Sequence, residues 1–92
     1  MPQIIFSGRF NKAIKRLNTS GSFSDVELEK ILRLLESGLP LEQKHRDHQL
    51  NGKFFGYRDC HVYSDVVLIY KVNKALGTIT LTNIGSHSDL FG

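Results

Sequence analysis

The sequence predicts an α+β fold in which a short strand and two helices precede a three-stranded antiparallel meander, with the helices packed on one small antiparallel sheet. Three observations carry this. Apolar residues recur at three- and four-residue spacing only before Pro40, near-alternation of apolar and polar residues begins only at Gly56, and the charged stretch between them has neither period. A chain of 92 residues supports one modest core and not two, so residues 1–92 are expected to form a single domain.

Taken in order, Ile4-Ile5-Phe6 have strand propensity and stop at Ser7-Gly8. Phe10, Ala13, Ile14 and Leu17 then fall on one helical face, while Arg9, Lys12, Lys15 and Arg16 take others, giving a basic amphipathic helix that ends near Asn18-Thr19-Ser20-Gly21. Ser24 and Glu27 have the spacing of a capping box, with Phe23 and Leu28 as its hydrophobic staple, and so mark the start of a second helix. Leu28, Ile31, Leu32 and Leu35 are its apolar stripe, and Gly38 and Pro40 its stop. Residues 41–48 read as a charged connection. Gly56 to Val62 reads as a strand, Tyr63-Ser64-Asp65 as a turn, Val66 to Val72 as a central strand apolar on both faces, and Thr78 to Asn83 as a third strand.

Composition narrows the class. At 40% hydrophobic and 23% charged residues the chain is globular rather than disordered. A net charge of +3 and a pI near 9.2 suit an anionic partner such as nucleic acid or an acidic protein. The single cysteine, Cys60, excludes an internal disulfide framework and is expected to be buried and inert. No apolar run approaches the roughly 18 residues of a membrane span, and Met1-Pro2-Gln3 does not begin a signal peptide, so the expectation is a cytoplasmic chain without a membrane partner.

Side-chain alternation puts Asp59 and His61 on one strand face and Cys60 and Val62 on the other. The apolar pair suits the core, leaving Asp59 and His61 on the open face, either as a site or as a plain surface pair. Arg58 shares the parity of Cys60, so it lies where the strand leaves the core, or the face assignment fails. Four histidines, at 45, 48, 61 and 87, sit among polar neighbours. His45 and His48 flank an acid, but without a helix beneath them or thiolates beside them they make a poor metal site, and no metal is expected. Imidazole suits acid/base work near neutral pH, its unperturbed pKa being about 6.5, and metal-free RNA cleavage would use such groups on a basic surface.

The segments Leu39-Pro40-Leu41, Arg46-Asp47-His48-Gln49-Leu50-Asn51-Gly52, Gly56-Tyr57-Arg58-Asp59-Cys60-His61-Val62, Asp65, Leu68-Ile69-Tyr70-Lys71 and Gly85-Ser86-His87-Ser88-Asp89-Leu90-Phe91 come in the order in which they occur in the YafQ branch of the RelE-type toxins, and over residues 39 to 92 the sequence resembles that family. The resemblance implies a bacterial type II toxin with a compact microbial-RNase-like fold. Its activity would be that of an mRNA interferase, an endoribonuclease that cuts messenger RNA in the ribosomal A site without metal or other cofactor. A cognate antitoxin of the RelB or DinJ kind would neutralise it, and operator DNA would be met only through the antitoxin complex. The family's active-site set falls on His48, His61, Asp65, His87 and Phe91, with Asp59 close by.

In that frame the chain end folds back on the sheet, His87 reaches the scissile phosphate and Phe91 stacks on a base. His48 would serve as base and His87 as acid, or the reverse. His61 could share either task, oriented by Asp59 or Asp65, and Arg58 with Lys53 would steady the phosphate. Arg9, Lys12, Lys15 and Arg16 would meet ribosomal RNA and an acidic antitoxin segment. The chain departs from the family at Asn83, where arginine is common, at Val66, where tryptophan is common, and at Lys53-Phe54-Phe55. Two alternatives stand beside this reading: a ParE-like gyrase inhibitor, which has no need of the three histidines, and a decayed toxin acting only with antitoxin and operator, which Asn83 favours.

Overall fold

The structure, a computed structural model, describes residues 2–21 and 23–92. The chain runs β1 (Gln3–Phe6), α1 (Gly8–Thr19), α2 (Asp25–Ser37), β2 (His48–Gln49), β3 (Arg58–Tyr63), β4 (Val66–Asn73), β5 (Thr78–Gly85) and α3 (His87–Phe91), with 3-10 turns at Gln43–His45 and Gly52–Phe54. The strands form one mixed sheet in the order β1-β5-β4-β3-β2. β3, β4 and β5 are the expected meander, with β4 at the centre. The sheet is larger than expected: β1 adds to β5 in parallel, and β2 closes the far edge antiparallel to β3.

Each helix has an identifiable start. The Ser7 hydroxyl oxygen accepts the Phe10 N–H at 3.0 Å and its proton goes to the Thr82 carbonyl at 2.9 Å, so one side chain caps α1 and ties it to β5. The expected capping box on α2 does not form. The Ser24 side chain makes no cap bond, the Ser24 N–H donates to the Tyr63 hydroxyl at 2.7 Å, and Glu27 turns instead to Lys30 at 3.4 Å and Lys44 at 3.8 Å. α2 ends as expected, with Gly38 at a φ of 73° in the left-handed region that favours glycine.

The core lies between the helices and one face of the sheet. Phe10, Ala13, Leu28, Ile31 and Leu35 pack against Cys60, Val62, Leu68, Tyr70, Leu81 and Ile84, and each large aliphatic side chain buried there contributes about 1.5–3 kcal/mol. Cys60 is fully buried and burial pushes its thiol up, so it stays protonated and inert. The opposite face carries Val67 and Ile69, also buried, and it is there that the candidate site is built.

Candidate active site

Strand register brings the chemistry together. His48 pairs with Asp59, Asp59 with Ile69, and Ile69 with Asn83, so these four residues form one row across β2, β3, β4 and β5. Paired residues present their side chains on the same face, and at about 4.8 Å between strands the row spans about 14 Å. The next row on that face is His61, Val67 and Gly85, from which the chain passes straight into His87. His48, His61 and His87 thus reach one face. Each is close enough to Asp59 for its charge to favour the ionised carboxylate.

Two irregularities set the aim of these rows. β3 carries an extra residue, Val62, between the pairs His61–Val67 and Tyr63–Val66, and β5 carries an extra residue, Thr82, between Leu81 and Asn83. Bulges of this kind re-aim side chains and concentrate beside active sites. Gly85 has a steric reason: a Cβ there would meet Asp89 at 3.3 Å, so glycine lets the first turn of α3 lie against β5.

His48 sits at the open edge and its tautomer follows from its partner. Its Nδ1 lies 2.6 Å from the Arg46 carbonyl, which can only accept, so neutral His48 carries its proton on Nδ1 and leaves Nε2 unprotonated. The carbonyl is aimed by a left-handed turn at Arg46, φ 47°. Nδ1 is also 3.2 Å from Asp59 Oδ1, but with the proton committed to Arg46 this is a charge contact without a hydrogen bond. Asp59 Oδ1 accordingly has no hydrogen-bond partner among the described residues. The expectation of an exposed Asp59 is corrected: it is 4% exposed, and burial raises its pKa against the opposing pull of His48, His61 and His87.

The other expected residues divide. Asp65 is exposed in the β3–β4 turn, where its Oδ1 accepts the His87 backbone N–H at 3.3 Å and so positions the start of α3. Phe91 is half-buried, its ring 4.9 Å from that of His87 and edge-on to Phe54 at 5.2 Å. Lys53 stands 5.5 Å over the Phe54 ring. Arg58 is corrected. It takes the face of Cys60, opposite to the histidines, and its guanidinium is held bidentately by Asp47 at 3.3 Å and 3.3 Å, with the Tyr70 hydroxyl on the same carboxylate. It is a structural ion pair at the rim of the core, on the face away from the histidines.

Arg9, Lys12 and Arg16 line one groove with Asn83, whereas Lys15, about 60° further round the helix from Lys12, lies outside it. His45, a residue with no role expected beyond a poor metal site, is 4% exposed and donates its Nδ1 proton to the His61 carbonyl at 2.6 Å, pinning β3 beside its bulge. Among the described residues no three His, Cys, Asp or Glu side chains are grouped to hold a metal ion. No described helix is long and apolar enough to cross a membrane. The two contributions that residue patterns missed are the His45 anchor and the Phe54–Phe91 contact, both made between segments distant in sequence.

Comparison with known proteins gives a consistent picture. Residues 2–92 match the family described as "Bacterial toxin of type II toxin-antitoxin system, YafQ". The mRNA interferase toxin YafQ of Escherichia coli K12 is 36% identical over 91 residues, covering 97% of this chain and 95% of the relative. Among solved structures, the metal-bound toxin from Helicobacter pylori superposes with a TM-score of 0.89 at 36% identity, covering 99% of this chain and 100% of the other. YafQ in the E. coli DinJ–YafQ complex superposes with a TM-score of 0.86 at 34% identity, covering both chains completely, 100% and 100%.

Proposed function

The chain belongs to the YafQ family of bacterial type II toxins, and from that membership we propose that it is an mRNA interferase: an endoribonuclease that cuts message in the ribosomal A site by internal attack of a ribose 2′-hydroxyl. The observation that carries the mechanism is His48, whose Nδ1 proton is given to the Arg46 carbonyl, so that Nε2 is free to accept a proton from solvent-side substrate. In this scheme Nε2 takes the 2′-OH proton, the 2′-oxygen attacks phosphorus, and His87 protonates the departing 5′-oxygen. The products are a 2′,3′-cyclic phosphate and a 5′-hydroxyl. The imidazolium formed at His48 is stabilised by Asp59 Oδ1, 3.2 Å away. His61, on the adjacent row, steadies charge on the phosphate or shares a proton transfer.

The scheme needs no metal, because both proton transfers are supplied by imidazoles of the chain. The E. coli complex of DinJ with YafQ supports a cognate antitoxin for this chain too, with operator DNA reached through that complex. Work on the ribosome puts the toxin in the cytoplasm. The direct test is the purified chain with ribosomes programmed by a defined message. Cleavage should persist in EDTA, and His48→Ala or His87→Ala should abolish it while each variant still melts as a folded domain; the exposed His87 should shift stability by only about 0.5 kcal/mol, and His48 by more, since it faces the buried Asp59 carboxylate. Undiminished cleavage by both variants would refute the assignment.

A further inference from the structure

Between the histidine cluster and α1 lies a second cavity, of about 290 Å³, which the mechanism above does not use. Its floor is Ile69, the row partner of Asp59, and its walls include Phe54 and Tyr57. It adjoins the candidate site at two places: Ile69 is the strand partner of Asp59, and the Phe54 ring meets that of Phe91, whose ring meets His87. Ligand pockets run from about 300 to 1,000 Å³, so this one accommodates a flat ring system rather than a whole nucleotide.

The polar groups at its edge have one character. Asn83 Oδ1 accepts the Ile84 N–H at 2.9 Å, which fixes the amide and leaves its NH₂ without a protein partner among the described residues. Arg9 and Lys53 also line the cavity, and both are donors without acceptor capacity. A pocket with aromatic walls and a donor-rich edge suits an unstacked RNA base that presents carbonyl oxygens.

We infer that this cavity holds the base of the nucleotide on the 3′ side of the cleaved bond, and that Asn83 selects guanine or uracil over adenine or cytosine there. The side follows from chemistry: with His87 protonating the 5′-oxygen, the leaving nucleoside lies toward α3, where Leu90 also lines the cavity. Guanine O6 and uracil O4 accept from the Asn83 amide, whereas the amino groups of adenine and cytosine at the same place meet another donor. This inference rests on the ribonuclease reading for the position of the base, but the pocket can be tested without cleavage.

The four ribonucleoside 5′-monophosphates offer no bond for the enzyme to cut and can be titrated into the ¹⁵N-labelled chain. GMP and UMP should move the Asn83 side-chain amide resonance and bind about five- to tenfold more tightly than AMP and CMP, the factor expected for one hydrogen bond made against one donor clash. Asn83→Asp keeps the acceptor for Ile84 N–H but replaces the donor, so it should erase or invert that ratio. On programmed ribosomes the wild-type chain should cut preferentially before G or U, and the variant should lose the preference. Equal weak binding of all four nucleotides without a shift at Asn83, or a ratio unchanged by Asn83→Asp, overturns the inference. Base selection without any message cleavage would sink the ribonuclease reading and leave the pocket standing; cleavage without base selection would do the reverse.

Discussion

At Asp59 the demands of folding and chemistry oppose each other. Its carboxyl is 4% exposed, its Oδ1 has no hydrogen-bond partner among the described residues, and burial holds its pKa above the ordinary range. A buried acceptor left in that state costs about 1–3 kcal/mol. An acid whose folded pKa exceeds its unfolded one destabilises the fold as pH rises through that interval, because the unfolded chain releases its proton first. Asp59→Asn should therefore melt several °C above wild type at about pH 7, at about 4–8 °C per kcal/mol for this size, and converge with it near pH 3. Cleavage should fall at the same time, since the His48 imidazolium loses its counter-charge. A variant no more stable than wild type at the higher pH would mean that the three histidines already neutralise the cost. Parity alone identified the Asp59/His61 face, but burial on it depends on Val67 and Ile69 alongside, which only the strand register supplies.

The element that delivers His87 is a five-residue helix, far below the length at which a helix is stable by itself. It persists through end contacts. Ser86 Oγ accepts the Asp89 N–H at 3.1 Å, Asp89 Oδ2 accepts the Ser86 N–H at 3.2 Å, and Asp65 takes the His87 N–H at 3.3 Å. The bonds from Ser86 hold the Asp89 carboxyl below its usual range, so its contribution is present above the ordinary carboxylate pKa and lost as pH falls through the depressed value. Ser86→Ala should remove a cap worth about 1 kcal/mol, speed hydrogen exchange at the Leu90 and Gly92 amides, and cut activity several-fold with little change in global melting. Loss of global stability without faster local exchange would show that α3 is part of the main cooperative unit. The Ser86-x-x-Asp89 pattern is visible in the sequence, but five residues give no period to announce a helix, just as two residues give no alternation to announce β2. Ser24-x-x-Glu27 misleads for the converse reason: Tyr63, 39 residues away, takes the backbone proton that starts α2.

At the scale of the whole molecule, helices α1 and α2, the meander and the core residues were legible because each rests on a local period. The parallel pairing of β1 with β5 and the Arg58–Asp47–Tyr70 cluster were not, because they join segments that no period relates. The charge distribution belongs to this scale as well. Arg9, Lys12 and Arg16 line a groove of about 520 Å³ that shares Asn83 and Arg9 with the base pocket, so a basic path runs from that pocket along α1. An RNA backbone following that path would release counterions at each phosphate contact, and the binding constant would fall with salt with a log–log slope of about 0.7–0.9 per contact. Reversing all three charges to glutamate inverts the sign of the +3 net charge and should lower the slope for ribosome binding by about 2–3, with affinity reduced most at low salt. Lys15→Glu is the control, since Lys15 lies outside the groove and should change the slope by much less. Equal effects from Lys15 and from the groove residues would show that ribosome attraction follows total charge rather than this path, and the RNA would then have to leave the site in another direction.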